Sequence, residues 1–331
     1  MRIFIEGPRW SGRWTEIIAD ALQSLGHRVV FHYHNRKLFA DRLALAGRTL
    51  LGEERRSAWA RRHRQQLLAS MQPGEWDVLL SIQGKLDAAT VHQLRERSPG
   101  LRIIYWWGDI LTDKGSTSIQ QAAAFSDRIL VSYRGTYEQL HPIYGDRLVY
   151  FPFGVSPAYH ARPELTARER RRFKVEVACV GTCYPERCEL VHYLNAKLDK
   201  PVRVWGRGWR HCRGIHGHGA LSLQDSLKVH ACAGISLNLH HRDTDNGCNM
   251  KFYEIPAAHG FQICDWQPLL ETSALGQYTI ACRSLPEFAQ AIDYYLAHEQ
   301  ERRQLAAAAN RAVFATASYP QQLAQLLHNL D

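Results

Sequence analysis

The chain has 331 residues, which is enough for two domains because a domain usually takes roughly 100 to 200 residues. Hydrophobic residues make up 45% of the sequence and charged residues 22%, a globular composition that excludes a disordered or collagen-like chain. Lysine and arginine total 41 against 32 aspartate and glutamate, so the net charge is +9, which suits an anionic ligand but names no partner.

The sequence lacks an apolar run of the ~20 residues that a membrane-spanning helix needs. Its first residues lead directly into a strand-like segment, without the basic and apolar regions of a secretory signal. We therefore expect a cytoplasmic protein without a transmembrane segment.

The first half alternates short β-branched or aromatic runs with amphipathic stretches, the pattern of parallel sheets flanked by helices. Strands are predicted at 2–6, 28–32, 77–82, 102–107, 128–132 and 147–151. Apolar residues in 14–25 follow helical spacing and end at Gly26, which predicts a β-α-β unit.

Residues 36–71 predict one or two helices rich in arginine. This basic stretch is either a solvated helix face or a platform for an acidic acceptor or an anionic membrane surface. Its arginines are Arg48, Arg55, Arg56, Arg61, Arg62 and Arg64.

A second alternating series follows a proline-containing, charged stretch without apolar periodicity. Its strands are predicted at 175–181, 202–206, 235–239, 262–265 and 278–281, and the tail 285–330 is predicted to be helical with a break near 318–320. The fold class is therefore α/β, with two doubly wound, Rossmann-like domains. We place the first domain at 1–155, a linker at 156–174 and the second domain at 175–317, and expect a helix at 318–331 to pack back on the first domain.

All eight cysteines lie in the second half, and none forms a C-x-x-C pair. This distribution predicts scattered reduced thiols rather than a disulfide framework or a zinc site. Cys183 and Cys188 leave metal or redox use open as an alternative. The eight are Cys179, Cys183, Cys188, Cys212, Cys232, Cys248, Cys264 and Cys282.

Ligands of open α/β sheets bind at the carboxyl ends of strands, so the loops after strands are candidate sites. The loop at 7–13 joins the first strand to a helix N-terminus, which suits a phosphate, but it matches neither G-x-G-x-x-G nor the P-loop. A plain turn is the alternative there. The loop at 180–187 puts Arg187 near a helix start, either as a guanidinium that holds two phosphate oxygens or as a surface arginine.

The most informative stretch is 238–263, where a strand ends in a polar loop and a short helix runs from near Asn249 to Gly260. Glu254 lies in this otherwise apolar helix, and such a carboxylate needs a partner, commonly a bound hydroxyl or a basic group. Lys251 near the helix start suits a phosphate. Two histidines at 240–241 and Asp243 lack a further ligand with fixed spacing, so no metal site is predicted.

Several of these stretches together resemble the GT-B glycosyltransferases, and most closely their CgeB-like spore-maturation group. They are the glycine-containing first loop, Ala-Asp-Ala-Leu-Gln-Ser-Leu-Gly-His-Arg-Val at 19–29, Val-Gly-Thr-x3-Glu-Arg at 180–187 and Lys-Phe-Tyr-Glu-Ile-Pro-Ala-Ala-His-Gly at 251–260. The resemblance implies two domains that face a central cleft. It also implies a nucleoside-diphosphate sugar as donor substrate in the second domain, an acceptor in the first, and no metal or other cofactor.

Carried over by position, Glu254 resembles the glutamate that holds the donor ribose, and Lys251 and Arg187 resemble the basic residues that neutralise the diphosphate leaving group. Backbone N–H groups of Asn249 and Met250 would face the same phosphates. The other donor-site residues implied are Gly181 and Thr182 in the donor loop, Trp205, Gly206, His216 and Gly217 around the base, and Gly12 approaching from the first domain.

The sequence departs from the family pattern at three positions. Asn246 stands where retaining relatives carry a second glutamate, which puts a retaining mechanism in doubt. Lys251 replaces the usual arginine and so loses bidentate geometry. Thr182 stands where many such enzymes place an arginine, which leaves more of the diphosphate to Arg187.

An inverting enzyme needs a base near the acceptor hydroxyl. Asp109, which follows the strand at 102–107, is the best catalytic candidate, with a capping role as the alternative. Asp113 and His32 are weaker candidates.

We therefore predict a metal-independent glycosyltransferase that acts on a hydroxyl of a glycan, a lipid-linked glycan or a protein. The alternatives are a transferase for modified DNA bases and a non-catalytic nucleotide-sugar-binding protein. Nucleic acid is not favoured, because no base-reading motif accompanies the arginines. Residues 1–150 hold 21 basic and 15 acidic residues, so the larger charge excess indicates an anionic acceptor or peripheral contact with an anionic membrane.

Overall fold

The computed structural model describes residues 1–10, 12–34, 62, 64–84 and 86–330. A helix is present at 64–70, where Arg64 pairs with Asp87. Most of the predicted arginine-rich segment lies outside the described residues, including Arg48, Arg55, Arg56 and Arg61.

The chain divides into two compact units. The first comprises Met1–Ser132 and Thr136–Phe151, and the second comprises Tyr133–Gly135 and Pro152–Asp331. The domain limits predicted from the sequence, and the packing of 318–331 on the first domain, stay predictions.

The first unit is built on a six-stranded parallel sheet with the order β2-β1-β3-β4-β5-β6. The strands are β1 (Arg2–Gly7), β2 (Arg28–Tyr33), β3 (Val78–Ile82), β4 (Arg102–Trp107), β5 (Arg128–Val131) and β6 (Leu148–Tyr150). Labelled helices are α1 (Trp14–Ser24), α2 (Ala88–Arg97), α3 (Asp113–Ala123) and α4 (Arg134–Tyr144), and the first two residues of α4 group with the second unit. Each strand predicted for this half is confirmed, with small shifts at the ends.

The core of the first unit follows from its central parallel strands, which are covered on both faces and therefore mostly apolar. Every residue of β3 is buried. Phe4 on β1 lies opposite Leu79 on β3, and both belong to the same hydrophobic cluster. The buried side of α1 carries Ile17, Ile18, Ala21 and Leu22, as the helical spacing predicts.

The second unit is built on a five-stranded parallel sheet with the order β11-β10-β9-β7-β8. Its strands are β7 (Val175–Val180), β8 (Arg203–Trp205), β9 (Ala233–Asn238), β10 (Gln262–Asp265) and β11 (Ile280–Cys282). Its helices are α5 (Pro157–His160), α6 (Ala167–Phe173), α7 (Pro185–Asn195), α8 (Leu223–Cys232), α9 (Met250–Ala257), α10 (Leu285–Ala297), α11 (Glu299–Thr316) and α12 (Tyr319–His328). Because the strands are parallel, the loops after β7, β8, β9 and β10 meet at one edge of the sheet.

Two helices occupy the segment that the sequence predicted as a linker. α6 begins with a capping box, in which Thr166 and Glu169 bond each other's backbone N–H groups. Glu169 also accepts from Lys228 on α8 at 2.5 Å, which fastens α6 to the second unit and, together with the bonds from Thr166, lowers the pKa of this carboxyl to about 2.

The prediction of scattered reduced thiols is wrong for one pair of cysteines. Cys188 and Cys212 form a disulfide with a Cα–Cα distance of 5.9 Å across 24 residues of sequence. Spacing along the chain gave no sign of it, because the pair meets only when α7 packs beside the 3-10 turn at Trp209–His211. The remaining six cysteines are free, and Cys179, Cys248, Cys264 and Cys282 are buried.

Across the residues that the structure describes, no helix combines the length and the apolar character needed to cross a bilayer.

Candidate functional site

The candidate site lies in the second unit, where the ends of β7 and β8 are held together by backbone contacts. Gly181 follows β7 and donates its N–H to the carbonyl of Trp205 at 2.8 Å. A Cβ added at Gly206 would overlap the carbonyl oxygen of Gly181, so this close approach requires glycine. The indole N–H of Trp209 donates to the same oxygen at 2.9 Å. These bonds fix the loop that follows β7.

Arg187 lies in the first turns of α7 and is nearly buried, at 8% exposure. Its guanidinium donates to the carbonyl of Thr182 at 2.8 Å and to the carbonyl of Leu239, and it stacks over the ring of Tyr184. In the described parts of the chain, no carboxylate pairs with Arg187 and its Nε has no hydrogen-bond partner. A buried cation without a counter-ion is costly, so this position favours an anion.

Lys251 brings a second cation to the same place, from the first turn of α9. A Cβ built on Gly181 would lie 2.5 Å from a terminal guanidinium nitrogen of Arg187 and 3.5 Å from Cε of Lys251. The charge of Lys251 also reaches the buried ring of His230, whose pKa is lowered to about 3 by burial first and by this lysine second. Arg187 and Lys251 therefore converge at Gly181.

Glu254 is buried one turn into α9, at 5% exposure. Its nearest charged partner is Lys251, with 3.7 Å between Nζ and Oε2, which is longer than a hydrogen bond. No described donor makes a hydrogen bond to this carboxylate. Because a buried carboxylate accepts several hydrogen bonds when it can, Glu254 has capacity left for a ligand.

His160, at the end of α5, is a site residue that the sequence did not indicate. Burial lowers the pKa of its ring, against the charge of Glu254, which raises it. Nδ1 bonds with the backbone of Ser156, while Nε2 is buried and finds no hydrogen-bond partner in the described chain. The residue lies in the predicted linker, where no pattern marks it.

The start of α9 is fixed by Asn249. Its side chain accepts from the N–H of Phe252 at 3.2 Å and donates to the side chain of Asn238, on β9, at 3.0 Å. The N–H groups of Met250 and Lys251 lie in the first turn, where an α-helix supplies no acceptor. They are therefore available to an anion, together with the positive end of the helix dipole.

The residues predicted around the base lie in two neighbouring segments. Trp205 is buried at the end of β8 and packs with the ring of His218 at 5.3 Å. Gly217 pairs with Val204 in an isolated bridge, and a Cβ there would lie 2.6 Å from Cβ of Trp209. His216 is exposed. The structure thus brings Gly206 against Gly181 and Gly217 against Trp209, and keeps Trp205 in the core.

The two adjacent histidines after β9 pair with different carboxylates. Nδ1 of His240 lies 2.8 Å from Oδ1 of Asp265, and its side chain is fully buried. Burial opposes ionisation of Asp265, but the bonds and charge of His240 outweigh it and leave the pKa of the carboxyl below its usual value. His241 instead lies 3.4 Å from Asp243. The His240–Asp265 pair, at the ends of adjacent strands, was missed because it depends on which strands are neighbours.

Asp109 and Gly12 lie in the first unit. Asp109 is exposed, and its Oδ1 accepts from the N–H of Ile110 at 2.9 Å. Thr112 caps the following helix, so Asp109 is not its cap. Gly12 has open space where a Cβ would lie.

Glu6, at the end of β1, is another residue that the sequence did not single out. Its side chain is fully buried and accepts from the hydroxyl of Ser81 at 2.7 Å. An acidic residue at the end of an apolar strand was the available signal.

The chain has the GT-B fold of two α/β units, each built on a parallel sheet. Within this fold, residues 186–328 match the family model described as glycosyl transferase-like. No curated protein matches the sequence.

Solved structures share this fold over nearly the whole chain. A glycosyltransferase from Rickettsia africae superposes with a TM-score of 0.66 at 13% identity, covering 99% of this chain and 97% of its own. Sucrose-phosphate synthase from Thermosynechococcus elongatus gives 0.67 at 12% identity, with coverage of 100% and 99%. HepE from Anabaena, solved in complex with UDP-glucose, gives 0.67 at 10% identity with the same coverage.

Proposed function

We propose that the protein is a glycosyltransferase that uses a nucleoside-diphosphate sugar as donor. The observation that carries this proposal is the convergence of Arg187 and Lys251 at Gly181, with no carboxylate among the described residues to neutralise Arg187. Two helix N-termini, those of α7 and α9, add partial positive charge at the same edge of the sheet. A diphosphate supplies the missing anion.

The proposed donor site extends from these cations to Glu254. Ribose hydroxyls would donate to its carboxylate, which lacks hydrogen bonds within the described chain. UDP-glucose is the first donor to test, since HepE shares the fold and was solved with that compound. The Lys-Phe-Tyr-Glu-Ile-Pro-Ala-Ala-His-Gly motif at 251–260 is the basis for proposing a place in the CgeB-like group.

In the proposed reaction, an acceptor hydroxyl attacks the anomeric carbon of the sugar while the bond to the diphosphate oxygen breaks. The acceptor proton goes to a base, for which Asp109 is the candidate, and the leaving electron pair goes to the diphosphate. Arg187, Lys251 and the N–H groups of α9 stabilise the charge that develops there, which is the basis for proposing that transfer does not depend on a metal. An inverting outcome fits Asn246, because that position offers no carboxylate.

The proposed acceptor is a hydroxyl of a glycan, a lipid-linked glycan or a protein. The basic excess in residues 1–150 supports an anionic acceptor. The proposal places the protein in the cytoplasm, and no contact described above favours the DNA-base or non-catalytic alternatives.

The deciding experiment combines binding and turnover. The purified chain is titrated calorimetrically with UDP-glucose and with GDP- and dTDP-sugars, and nucleoside-diphosphate release is followed with each donor. We expect one donor series to bind and to be hydrolysed slowly, and Glu254→Gln to reduce both signals, while Glu189→Gln on the exposed side of α7 leaves them unchanged. Absence of binding by every nucleotide sugar at millimolar concentration would overturn the proposal.

A further inference from the structure

Three cysteine sulfurs lie together beside the donor loop, and a histidine nitrogen contacts one of them. The sulfurs of Cys183, Cys188 and Cys212 all lie within 4.8 Å of one another. Nε2 of His192 lies 3.5 Å from the sulfur of Cys212. The proposed transferase chemistry uses none of these four side chains.

The four residues come from three segments that fold onto one another. Cys183 lies in the loop after β7, and Cys188 and His192 lie on α7. Their i, i+4 spacing puts them on the same face of the helix. Cys212 directly follows the 3-10 turn Trp209–His211. The N–H of Cys183 donates to the carbonyl of Arg207 at 2.8 Å, which holds the first and third segments side by side.

This donor set has the chemistry of a structural zinc site. Zinc prefers four thiolate and imidazole ligands in a tetrahedron, and three cysteines with one histidine is a common combination. Zinc–sulfur and zinc–nitrogen bonds of about 2.3 and 2.0 Å place neighbouring ligand atoms about 3.5 to 3.8 Å apart in such a tetrahedron. The distance of 3.5 Å between Nε2 of His192 and the sulfur of Cys212 fits this geometry, whereas the sulfurs of Cys188 and Cys212 are bonded to each other and must separate to this spacing on reduction.

The disulfide alone does not account for the cluster. It uses Cys188 and Cys212 and leaves the thiol of Cys183 and the ring of His192 beside them. Disulfides are rare in reducing compartments, where grouped cysteines more often bind metal.

We propose that, in the reduced chain, Cys183, Cys188, His192 and Cys212 bind one zinc ion. Two thiols supply two electrons and two protons to open the Cys188–Cys212 bond and are oxidised to a disulfide; with a phosphine, the phosphine supplies the two electrons and water supplies the two protons and the oxygen of the phosphine oxide. Zinc then takes the place of three thiol protons, which are released to solvent, and accepts the lone pair of the neutral imidazole.

The zinc ion would hold together the segments that carry the donor site. Cys188 directly follows Arg187, and Cys183 is two residues from Gly181. A single ion would therefore tie the donor loop, the start of α7 and the 3-10 turn together. Its role is structural, because all four ligands come from the protein and no position is left for substrate.

The test uses the full chain, kept under anaerobic conditions with a phosphine reductant. Cobalt(II) is titrated in, and thiolate-to-cobalt absorption bands are recorded before and after displacement by zinc. Zinc content after gel filtration is measured by mass spectrometry. We expect one ion per chain, tetrahedral cobalt bands, and at least a tenfold weaker affinity in Cys183→Ser and in His192→Asn.

Two matched variants serve as controls. Cys232→Ser removes a partly exposed thiol outside the cluster, and His211→Asn removes an exposed histidine adjacent to Cys212. Both should bind zinc as the unmodified chain does. Equal losses in these controls would overturn the assignment of ligands.

A measurement on the unmodified chain covers the case in which a ligand variant does not fold. Zinc should protect Cys183, Cys188 and Cys212 from alkylation, read by peptide mass spectrometry, while Cys232 stays reactive. If the reduced chain retains no metal, or if zinc leaves these three cysteines as reactive as before, the proposal is overturned. None of these readings depends on binding or turnover of a nucleotide sugar.

Discussion

Arg187 and Lys251 differ in how firmly the protein already holds them. The guanidinium of Arg187 donates to the carbonyls of Thr182 and Leu239, so it supports the donor loop as well as any ligand. Lys251 has only the long contact of 3.7 Å to Glu254 as an ion pair within the described chain. Substitutions of the two cations should therefore differ in their effects on donor binding and on stability.

At neutral pH, replacing Lys251 should affect donor binding far more than stability. Lys251→Met removes one of the two cations while keeping the apolar stem, so we expect UDP-glucose to bind about tenfold more weakly, or about 1.4 kcal/mol. The free energy of unfolding should change by less than about 0.5 kcal/mol. Calorimetry and urea unfolding measure the two quantities. Lys197→Met, on an exposed position of the same unit, is the control, and equal affinity in both variants would contradict the placement of Lys251.

Replacing Arg187 should affect stability as well. Arg187→Lys keeps the charge but loses the planar fork that reaches two carbonyls at once. We expect the free energy of unfolding to fall by about 1 to 3 kcal/mol, as for buried groups left without a partner. Arg213→Lys, at an exposed position, should leave it unchanged in urea unfolding. If Arg187→Lys has the same free energy of unfolding as the unmodified chain, the two carbonyl contacts do not contribute to stability.

Arg187 and Lys251 are positioned by the way in which their helices, α7 and α9, begin. α7 starts with Pro185, whose fixed φ suits the first helical position, and α9 starts with the side-chain cap of Asn249. Both helices begin after loops at the carboxyl edge of the sheet, so their free N–H groups face the same region.

The cap of α9 can be tested against a cap elsewhere in the same unit. Asn249→Ala should cost about 1 kcal/mol of unfolding free energy and should weaken UDP-glucose binding, because the first turn of α9 loses its position. Ser222→Ala removes the cap of α8, where the hydroxyl accepts from the N–H of Asp225. It should cost a similar free energy without changing donor affinity. If both variants bind the donor equally well, the start of α9 does not contribute to the site.

At the scale of the whole molecule, stability should depend on the buried histidine His230. Its ring is held between the hydroxyls of Ser236 and Ser226 at 2.9 and 3.3 Å, and burial with the charge of Lys251 lowers its pKa to about 3. The folded chain therefore binds fewer protons than the unfolded chain below the ordinary histidine pKa of about 6.5. The contribution of this residue to the free energy of unfolding is fully present above that pH and is lost as the pH falls toward 3.

As the pH falls from about 5.5 to 4, we expect the free energy of unfolding to decrease by about 1.4 kcal/mol for each pH unit because of this residue alone. Urea unfolding over this range measures the total, and NMR of the histidine rings isolates His230. Its ring should stay neutral at pH 5. A His230 ring that takes up a proton near pH 6.5 would contradict this assignment.

Much of the fold could be predicted from the sequence, because parallel strands covered on both faces leave short apolar runs such as 78–80. The cations of the candidate site could be predicted because Arg187 and Lys251 follow strand–loop–helix junctions. The disulfide, the His240–Asp265 pair and the buried His160 could not, because each depends on which distant segments become neighbours. Local patterns carry no information about that choice.

The contact between Gly206 and the carbonyl of Gly181 sets a limit on mutational tolerance. Any side chain at position 206 would push that oxygen away from the indole of Trp209 and shift the loop that precedes Arg187. In a saturation library selected for donor binding, position 206 should therefore accept glycine alone, although it contacts neither cation. A residue with no functional group of its own would then be among the least replaceable in the chain.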